Sequence, residues 1–298
     1  MRLWGIAAGL AAAAIWGGMY VVSKVVLTVV PPFVLLSFRL VLGFLVLVLF
    51  QARVGRLKST TSQARSIVLI GALGFGVSVG LQFVGTSLST AANASLVTAA
   101  SPVFLLLFGS WILGERVTLR RVAALGIASL GVLAVIDPRS ASFDPAMFQG
   151  NLALLGAAVT WGLYSVLVKR ASARVPTLEV SLLAFLGGLL VSLPLAAVEA
   201  TSTGIGPIST AGILGILYLG IVSTALAMYL WNRSLAVLEA GVVSLLFFAQ
   251  PVVGAGLGAS LLGESLTAGF WIGAALIGVG LVVSTLPERP IPVAVEES

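Results

Sequence analysis

The sequence has 298 residues and contains neither cysteine nor histidine. The absence of cysteine excludes disulfide bonds and thiolate metal sites. The absence of histidine removes the commonest general base, the commonest metal ligand and the usual pH-sensitive side chain. Charged residues are also scarce, at 9% of the chain, against about a quarter in soluble domains. These absences argue against an enzyme that depends on a metal or on clustered titratable residues, and we predict no cofactor.

Apolar residues, by contrast, are abundant. They make up 59% of the chain, which has a mean hydropathy of +1.16. No soluble core absorbs so much apolar surface, so lipid is predicted to surround most of the protein. The amino-terminal stretch MRLWGIAAGLAAAAIW resembles a secretory signal, but its apolar run continues to Val22, which is long enough to span a membrane. We therefore interpret it as a retained first helix.

Polar residues, prolines and glycines divide the chain into ten apolar segments, each about as long as a helix that crosses a bilayer. Strands are not expected, because an open sheet leaves backbone groups unpaired in lipid and no segment alternates with a period of two. The predicted fold is therefore an all-α polytopic membrane protein with ten transmembrane helices. The predicted spans are residues 3–23, 33–51, 66–86, 93–113, 119–136, 150–168, 178–198, 209–231, 240–262 and 268–286.

Basic residues are distributed unevenly between the two sets of loops and ends. One set holds thirteen of them, and the other holds only Lys24 and Arg139. Because basic residues accumulate on the cytoplasmic side of membrane proteins, we predict a multi-pass protein of the inner membrane with both termini in the cytoplasm. The thirteen residues on the predicted cytoplasmic side are Arg2, Arg53, Arg56, Lys58, Arg65, Arg116, Arg120, Arg121, Lys169, Arg170, Arg174, Arg233 and Arg289.

The two halves of the chain repeat the same motifs in the same order, at an offset that drifts only from 145 to 149 residues. Each half holds five predicted helices, so the second half must enter the membrane from the opposite face. Such inverted repeats are typical of secondary transporters, whose binding sites lie between the repeats near the membrane midplane. We predict a first repeat at residues 1–140, a second at 141–286 and a cytoplasmic tail at 287–298. The matched positions are Trp16-Gly17 with Trp161-Gly162, Lys24 with Lys169, Pro31 with Pro176, Ser95-Leu96 with Ser244-Leu245, and Pro102 with Pro251.

A glycine–glutamate pair follows the fourth helix of each half, in the hexapeptides LGERVT and LGESLT. The glycine is predicted to end that helix, and the threonine, Thr118 or Thr267, to cap the next one. Two roles are open for the glutamates, Glu115 and Glu264. Each carboxylate either pairs with local donors at a helix end or forms an ion pair that gates the transport path.

Pro102 and Pro251 lie thirteen residues before these glutamates, roughly 15 Å into their helices and near the bilayer centre. A proline inside a helix removes one hydrogen bond and crowds the carbonyl four residues before it, here that of Thr98 or Phe247. Exposed backbone at this depth is tolerated where protein or a watery cavity covers it. The prolines are therefore predicted to mark either a structural kink or a substrate contact.

Together these features resemble the EamA-type transporters of the drug/metabolite transporter superfamily. The resemblance rests on two tandem five-helix repeats, each with Trp-Gly early in its first helix and Pro…Gly-Glu across its fourth helix and the following loop. It covers about residues 3–286. It implies an alternating-access carrier with a central cavity lined by the first, third and fourth helices of each half and part of the second. It also implies an amino acid, another small metabolite or a drug as the substrate, often moved outward.

Arg39 is the basic residue that falls inside a predicted span. Its depth, about 10 Å below the outer end of the second helix, matches that of Trp16 in the first. A charge at such a depth is costly and normally marks a binding site or a pathway. Arg39 is therefore a candidate receptor for an anionic group such as a carboxylate, held by two hydrogen bonds. The alternatives are extension toward the outer headgroups and a structural bond to carbonyls of a neighbouring helix.

Further polar and aromatic residues fall on the six helices that the resemblance turns inward. Each of them alone is explained by packing or hydrogen bonding between helices, which is common in membranes. As a group they predict a cavity with aromatic walls and neutral donors and acceptors. The twelve predicted substrate-binding residues are Trp16, Tyr20, Arg39, Ser78, Gln82, Ser101, Trp161, Tyr164, Ser165, Tyr229, Asn232 and Gln250.

Other functional classes fit the sequence less well. A membrane enzyme needs clustered His, Asp, Glu or Cys near helix ends, whereas the acidic residues lie singly in scattered loops. An inverted repeat around a midplane break suits a two-state carrier better than a channel or receptor. No P-loop motif is present, so ATP-driven transport by this chain alone is not expected. Because no acidic residue lies well inside a span, we expect a facilitator or exchanger, with a proton-coupled multidrug or metabolite antiporter as the alternative.

The predicted partners are a small-molecule substrate and the lipid bilayer, without nucleic acid. Glycine pairs at four-residue spacing favour close helix packing. The pair in the last helix, Gly269 and Gly273, predicts either packing within a monomer or a homodimer contact.

Overall fold

The computed structural model describes residues 1–88, 94, 97–136, 148–262 and 268–285. All regular secondary structure in these residues is helical, and its segments correspond to the ten predicted spans. The predicted all-α fold is thereby confirmed. In chain order the helices are α1 (Arg2–Val26), α2 (Pro32–Val54), α3 (Thr61–Ser87), α4 (Ser101–Leu113), α5 (Leu119–Ile136), α6 (Phe148–Ser172), α7 (Thr177–Ser202), α8 (Thr210–Val237), α9 (Ala240–Leu246 and Ala249–Leu262) and α10 (Ala268–Thr285).

Six of the described helices (α1, α2, α3, α6, α7 and α8) are each long and apolar enough to cross a membrane. Shorter apolar segments occupy α4, α9 and α10. Local signals set the boundaries. Pro32 lies in the first turn of α2, and Thr60 and Gln63 form a capping box in front of α3. The predicted start of the fourth span, at residue 93, falls outside the described residues.

The packing of the helices follows the inverted repeat. α1 packs on α8 and on the second segment of α9, and α6 packs in the same way on α3 and α4. The first helix of each half therefore lies against the third and fourth helices of the other half. Farther out, α2 packs on α7 and α5 packs on α10. The six inner helices thus enclose the interface between the two repeats.

The glycine of each Trp-Gly pair permits these contacts. A Cβ atom at Gly17 would lie 2.7 Å from the carbonyl oxygen of Gln250 in α9. A Cβ atom at Gly162 would lie 2.7 Å from the Cβ of Phe104 and 2.9 Å from the backbone nitrogen of Leu105, both in α4. Because these distances are shorter than van der Waals contact, any side chain would force the helices apart. The motif marks the crossing of the first helix with the fourth helix of the other half.

The end of α4 and the start of α5 agree with the first Gly-Glu prediction. Gly114 adopts left-handed backbone angles, with φ 67° and ψ 21°, and its N–H donates to the Ser110 carbonyl. The Thr118 hydroxyl accepts a hydrogen bond from the Arg121 N–H at 3.4 Å, so Thr118 caps α5. Both expectations are confirmed. The matching glycine, glutamate and threonine at residues 263, 264 and 267 lie outside the described residues.

At both prolines the helix is interrupted rather than merely kinked. Before α4, the chain turns at Ala99 and Ala100, and the Ala100 N–H donates to the Val97 carbonyl, only three residues back. Within α9, the chain turns at Phe247 and Phe248 in the same way. Pro102 and Pro251 then lie in the first turn of the segment that follows, where the missing N–H removes no helical bond. Each repeat thus contains a half-helix that begins inside the protein.

The third helix of each half contains a π-helical stretch, at Ala72–Ser78 in α3 and at Tyr218–Leu226 in α8. The wider turn is visible in the Thr224 hydroxyl, which donates to the Leu219 carbonyl five residues back at 2.7 Å. Such stretches are rare and often occur at functional sites. Neither was predicted. Their equivalent places in the two repeats make them part of the same pseudo-symmetric arrangement as the helix breaks.

Candidate functional site

A cavity lies between the repeats, where the helix breaks and the π-helical stretches meet. Its volume is about 30 Å³, whereas pockets for drug-sized ligands typically have roughly 300–1,000 Å³. The site is therefore contracted in this conformation, and a solute requires helix or side-chain movement to enter. The lining residues are Trp16, Met19, Arg39, Ser78, Val79, Gln82, Thr98, Ser101, Ala157, Trp161, Met228, Phe247 and Gln250.

Arg39 is almost fully enclosed, with 1% of its surface exposed. Its Nε donates to the Thr224 hydroxyl at 2.7 Å, and one terminal nitrogen lies 3.5 Å from the Met19 sulfur. Its guanidinium carbon lies 5.2 Å from the centre of the Phe83 ring, close enough for a cation–π interaction. The side chain therefore does not extend to the headgroups. No carboxylate among the described residues pairs with it.

The two tryptophans of the Trp-Gly motifs meet across the repeat interface. The rings of Trp16 and Trp161 lie 5.7 Å apart, edge to face at 84°. Trp16 also packs on Trp231 and Phe247, with ring centroids 5.3 and 5.9 Å away. The two indole nitrogens differ in their hydrogen bonding. Trp16 donates to the carbonyl of Ser223, within the π-helical stretch of α8, at 3.0 Å, whereas the buried Nε1 of Trp161 has no partner among the described residues.

The neutral polar side chains of the cavity wall differ in whether they form hydrogen bonds. Gln82 donates to the Tyr20 hydroxyl at 2.7 Å, and Ser78 donates to the Ala157 carbonyl at 2.8 Å. Ser101 and Gln250 are 3% and 4% exposed. Within the described part of the chain, neither of their side chains forms a hydrogen bond. These two residues directly precede Pro102 and Pro251, so each half-helix begins with an uncommitted polar side chain at the cavity.

Seven of the twelve predicted substrate-binding residues line the cavity, and five lie outside its wall. Among the five, Asn232 donates to the Ser181 hydroxyl at 2.9 Å, and the Trp231 indole donates to the Ser165 hydroxyl at 3.4 Å. These bonds link neighbouring helices, which is the packing alternative for such residues. The five residues outside the wall are Tyr20, Tyr164, Ser165, Tyr229 and Asn232.

Sequence reasoning missed six residues of the cavity wall. Thr98 and Phe247 carried a signal, because they lie four residues before the prolines, where the backbone was expected to be disturbed. The other four are apolar side chains on spans full of similar residues, and their sequence offers no feature that singles them out. These four are Met19, Val79, Ala157 and Met228.

Glu115 joins the two repeats at the predicted cytoplasmic side. Its carboxylate oxygens accept the N–H groups of Ala240 and Gly241, at the start of α9, at 2.8 and 3.2 Å. The Lys169 ammonium lies 3.8 Å from the same carboxylate and also donates to the Leu235 carbonyl at the end of α8. Glu115 and Lys169 together thus hold α6, α8 and α9 next to the α4–α5 loop. Both roles predicted for Glu115 agree with this geometry.

The next two described acids also bind at helix starts. Glu179 accepts the N–H groups of Lys58 and Ser59, just before α3, both at 2.8 Å. Glu199 accepts the N–H of Phe33 in α2 at 2.7 Å. Backbone N–H groups at a helix start lack helical partners, so a carboxylate there is stabilising. Glu239 completes the described acids and pairs with Arg121. None of the four faces the cavity.

The comparison with known proteins decides the family. The profile of the EamA-like transporter family matches the chain twice, at residues 3–136 and 148–286. The chain belongs to the EamA-like transporter family. This confirms the resemblance and the two-repeat architecture, and the protein is a multi-pass membrane transporter of the EamA type.

Relatives of this EamA-like protein match along nearly the whole chain. A probable amino-acid metabolite efflux pump of Salmonella typhimurium is 30% identical, covering 92% of both chains. A protein of the same description from Escherichia coli is 29% identical over the same shares. An uncharacterized transporter of Bacillus subtilis is 25% identical over 94% of this chain and 86% of its own. A crystal structure with 25% identity superposes with a TM-score of 0.80 over 96% of this chain and 97% of that one.

Proposed function

We propose that this transporter exports a small metabolite with a carboxylate group, resembling an amino acid, by alternating access through the central cavity. Two relatives are described as probable amino-acid metabolite efflux pumps, which supports export and a solute of this size. The observation that carries the substrate chemistry is the buried Arg39 without a carboxylate partner among the described residues.

An unpaired buried cation is costly, because the interior replaces little of the solvation that it loses. Arg39 bonds Thr224 through Nε and contacts the Met19 sulfur only weakly, so its terminal nitrogens retain donors for a ligand. A planar carboxylate accepts two parallel bonds from such a group. A drug-like cation would instead face repulsion from Arg39. The proposed substrate therefore supplies the missing negative charge.

The free polar groups extend the site beyond Arg39. The Trp161 indole N–H, the Ser101 hydroxyl and the Gln250 amide all line the cavity without a partner among the described residues. These groups can bind further polar atoms of the substrate, and the amide and hydroxyl oxygens can accept bonds from an ammonium group. The aromatic rings then contact its apolar part. This combination favours a compact zwitterion over a large apolar drug.

The two-fold relation between the repeats supports alternating access. In this conformation Trp16 bonds the π-helical stretch of α8, whereas Trp161 makes no such bond to α3. We infer that the two repeats exchange these states as the carrier turns its opening from one side to the other. In the alternate state the Trp161 N–H would bond a carbonyl of Ala72–Ser78, and Trp16 would lose its bond to Ser223.

The Glu115 contacts supply a closure on the predicted cytoplasmic side in the same proposal. The carboxylate joins the first repeat to the start of α9 and to Lys169 of the second repeat. Opening that side separates these groups, and Glu264 is proposed to act likewise on the opposite side. Glu115→Gln should therefore increase the rate at which a membrane-permeant thiol reagent labels Ser101→Cys. An unchanged labelling rate contradicts the closure.

Counterflow in proteoliposomes tests the proposed function. Liposomes loaded with an unlabelled amino acid should take up the labelled compound transiently and saturably, because a carrier exchanges solutes across one site. The amine that corresponds to the same amino acid without its carboxylate should not exchange. A flux that neither saturates nor exchanges indicates a channel and contradicts the proposal.

Arg39 variants test the carboxylate contact in the same assay. Arg39→Lys should retain part of the exchange, because the positive charge remains while the two-pronged geometry is lost. Arg39→Met should abolish exchange but leave the melting temperature unchanged or higher, because it removes an unpaired buried charge. A large fall in melting temperature with Arg39→Met would instead indicate that the guanidinium serves the fold.

A further inference from the structure

A second depression lies on the predicted cytoplasmic side, between the first turns of α3 and the last turns of α6. We call it the α3–α6 groove. Its volume is about 370 Å³, within the roughly 300–1,000 Å³ typical of ligand pockets. It shares no lining residue with the central cavity. The lining residues are Gln63, Ser66, Ile67, Ile70, Leu167, Arg170, Ala171, Arg174 and Val175.

The rim of the groove is basic. Arg170, in the last turn of α6, and Arg174, two residues after that helix, are exposed and four positions apart. Neither forms an ion pair with any described residue, and no acidic residue lines the groove. The Ser66 hydroxyl adds a neutral donor, and so does the Gln63 amide, whose oxygen already accepts the Thr60 N–H. The rim therefore offers an anion several donors without competing carboxylates.

The walls below the rim are apolar. Ile70, Leu167 and Ala171 are partly exposed and form the accessible apolar surface, and the almost fully buried Ile67 and Val175 complete the lining. A fully polar anion leaves these walls uncovered. An occupant that matches both parts is amphiphilic, with an anionic head and a hydrocarbon tail.

We propose that the α3–α6 groove binds an anionic phospholipid. Its phosphate contacts Arg170 and Arg174, and an acyl chain lies along the wall formed by Ile70, Leu167 and Ala171. Both arginines belong to the set predicted to face the cytoplasm. Basic pockets between transmembrane helices on that side suit anionic headgroups. The site is independent of the substrate proposed for the central cavity.

Thermal unfolding in mixed micelles tests the proposal, together with native mass spectrometry to count bound lipids. Phosphatidylglycerol should raise the melting temperature of the wild-type protein above its value with phosphatidylcholine. The double variant Arg170→Gln/Arg174→Gln should bind phosphatidylglycerol about thirtyfold more weakly, given the usual contribution of two basic side chains near an anionic lipid surface. Arg53→Gln/Arg56→Gln is the matched control, because it removes the same charge from the exposed end of α2 and the loop that follows, and neither residue lines the groove. It should bind like the wild type.

Two further arms distinguish a lipid from a soluble anion and from general surface attraction. Ala171→Trp fills the apolar part while it keeps both arginines, so it should reduce phosphatidylglycerol binding without the charge change. Glycerol 3-phosphate and inorganic phosphate should not reproduce the thermal shift. The proposal is overturned if the control double variant loses as much affinity as the groove variant. It is also overturned if Ala171→Trp binds normally, or if glycerol 3-phosphate stabilises the protein as strongly as the lipid does.

Discussion

At the residue scale, the two Trp-Gly tryptophans have different hydrogen bonding although the motif is the same in both repeats. Trp16 has an acceptor in Ser223, whereas the Trp161 N–H is buried without a partner among the described residues. A buried donor that lacks an acceptor costs about 1–3 kcal/mol. Such a cost is tolerated where a ligand or another conformation supplies the acceptor. We interpret Trp16 as a residue that stabilises this state, and Trp161 as one whose N–H is available to a ligand or to another conformation.

Replacement of each tryptophan by phenylalanine tests that distinction. Trp16→Phe should lower the free energy of unfolding by about 1 kcal/mol, because it removes a made hydrogen bond. Trp161→Phe should leave stability unchanged or slightly higher, yet weaken the apparent substrate affinity in the counterflow assay. Melting temperature and the half-saturating substrate concentration are measured for both variants. Equal losses of stability would show that both indoles serve only packing.

At the element scale, helix existence was readable from the sequence, whereas helix irregularity was only partly so. The ten apolar segments, the Gly114 stop and the Thr118 cap follow from local chemistry, and the structure has them where they were predicted. The prolines predicted a disturbed backbone, but they did not predict that the helices would be fully interrupted. The π-helical stretches left no local trace, because their wider turns depend on donors and packing supplied by other helices, such as the Trp16 indole that donates to the Ser223 carbonyl.

The residues of the candidate site were likewise only partly predictable from the sequence. Arg39, Ser101 and Gln250 were found because polar residues are rare in lipid-spanning helices. Asn232 met the same criterion, yet it bonds Ser181 outside the cavity wall. Polarity alone does not distinguish a binding residue from a bond between helices. The direction of each side chain depends on helix rotation, which tertiary packing sets.

Lys24 and Lys169 lie eight residues after Trp16 and Trp161, and both bind carbonyl groups at the end of a helix. Lys24 donates to the carbonyls of Thr86 and Ser87 at the end of α3, at 3.0 and 3.5 Å. Lys169 donates to the Leu235 carbonyl at the end of α8. The last carbonyls of a helix lack helical partners and attract cations. Each lysine thus joins the first helix to the end of the third helix in its own repeat.

The close crossing of α6 with α4 can be tested with an alanine substitution, and a second glycine provides the control. Gly162→Ala should lower the melting temperature and impair transport, because its methyl group would overlap the α4 backbone near Leu105. Gly126 in α5 has no atom within 4 Å of the position that a Cβ would take. Gly126→Ala should therefore be neutral or stabilising by up to about 1 kcal/mol, from helix propensity alone. Similar losses in both variants would contradict the proposed close crossing of α6 with α4.

At the scale of the whole molecule, the unequal distribution of basic residues predicts the orientation. Ser62 and Thr203 are exposed at opposite predicted faces. Because the chain has no cysteine, single-cysteine variants require no background removal. Ser62→Cys should react with an impermeant thiol reagent only after the cytoplasmic face is opened, and Thr203→Cys should react in intact cells. External labelling of Ser62→Cys would contradict the predicted topology.

The driving force is also a property of the whole molecule. The four described carboxylates bind helix starts or pair with basic side chains, and Arg39 stays protonated because of its guanidinium chemistry. We therefore expect transport into liposomes to follow the substrate gradient, with or without an imposed pH gradient. Glu179→Gln should lower stability, because it weakens the bonds to Lys58 and Ser59, without changing this behaviour. Uphill accumulation driven by protons and abolished in Glu179→Gln would make α7 the coupling element.

The contracted cavity has a consequence for the membrane that contains the protein. A volume of about 30 Å³ holds at most a few ordered water molecules. In this conformation the cavity is therefore too small to hold a column of water that spans the membrane. We therefore expect the membrane potential to persist while the protein holds this conformation.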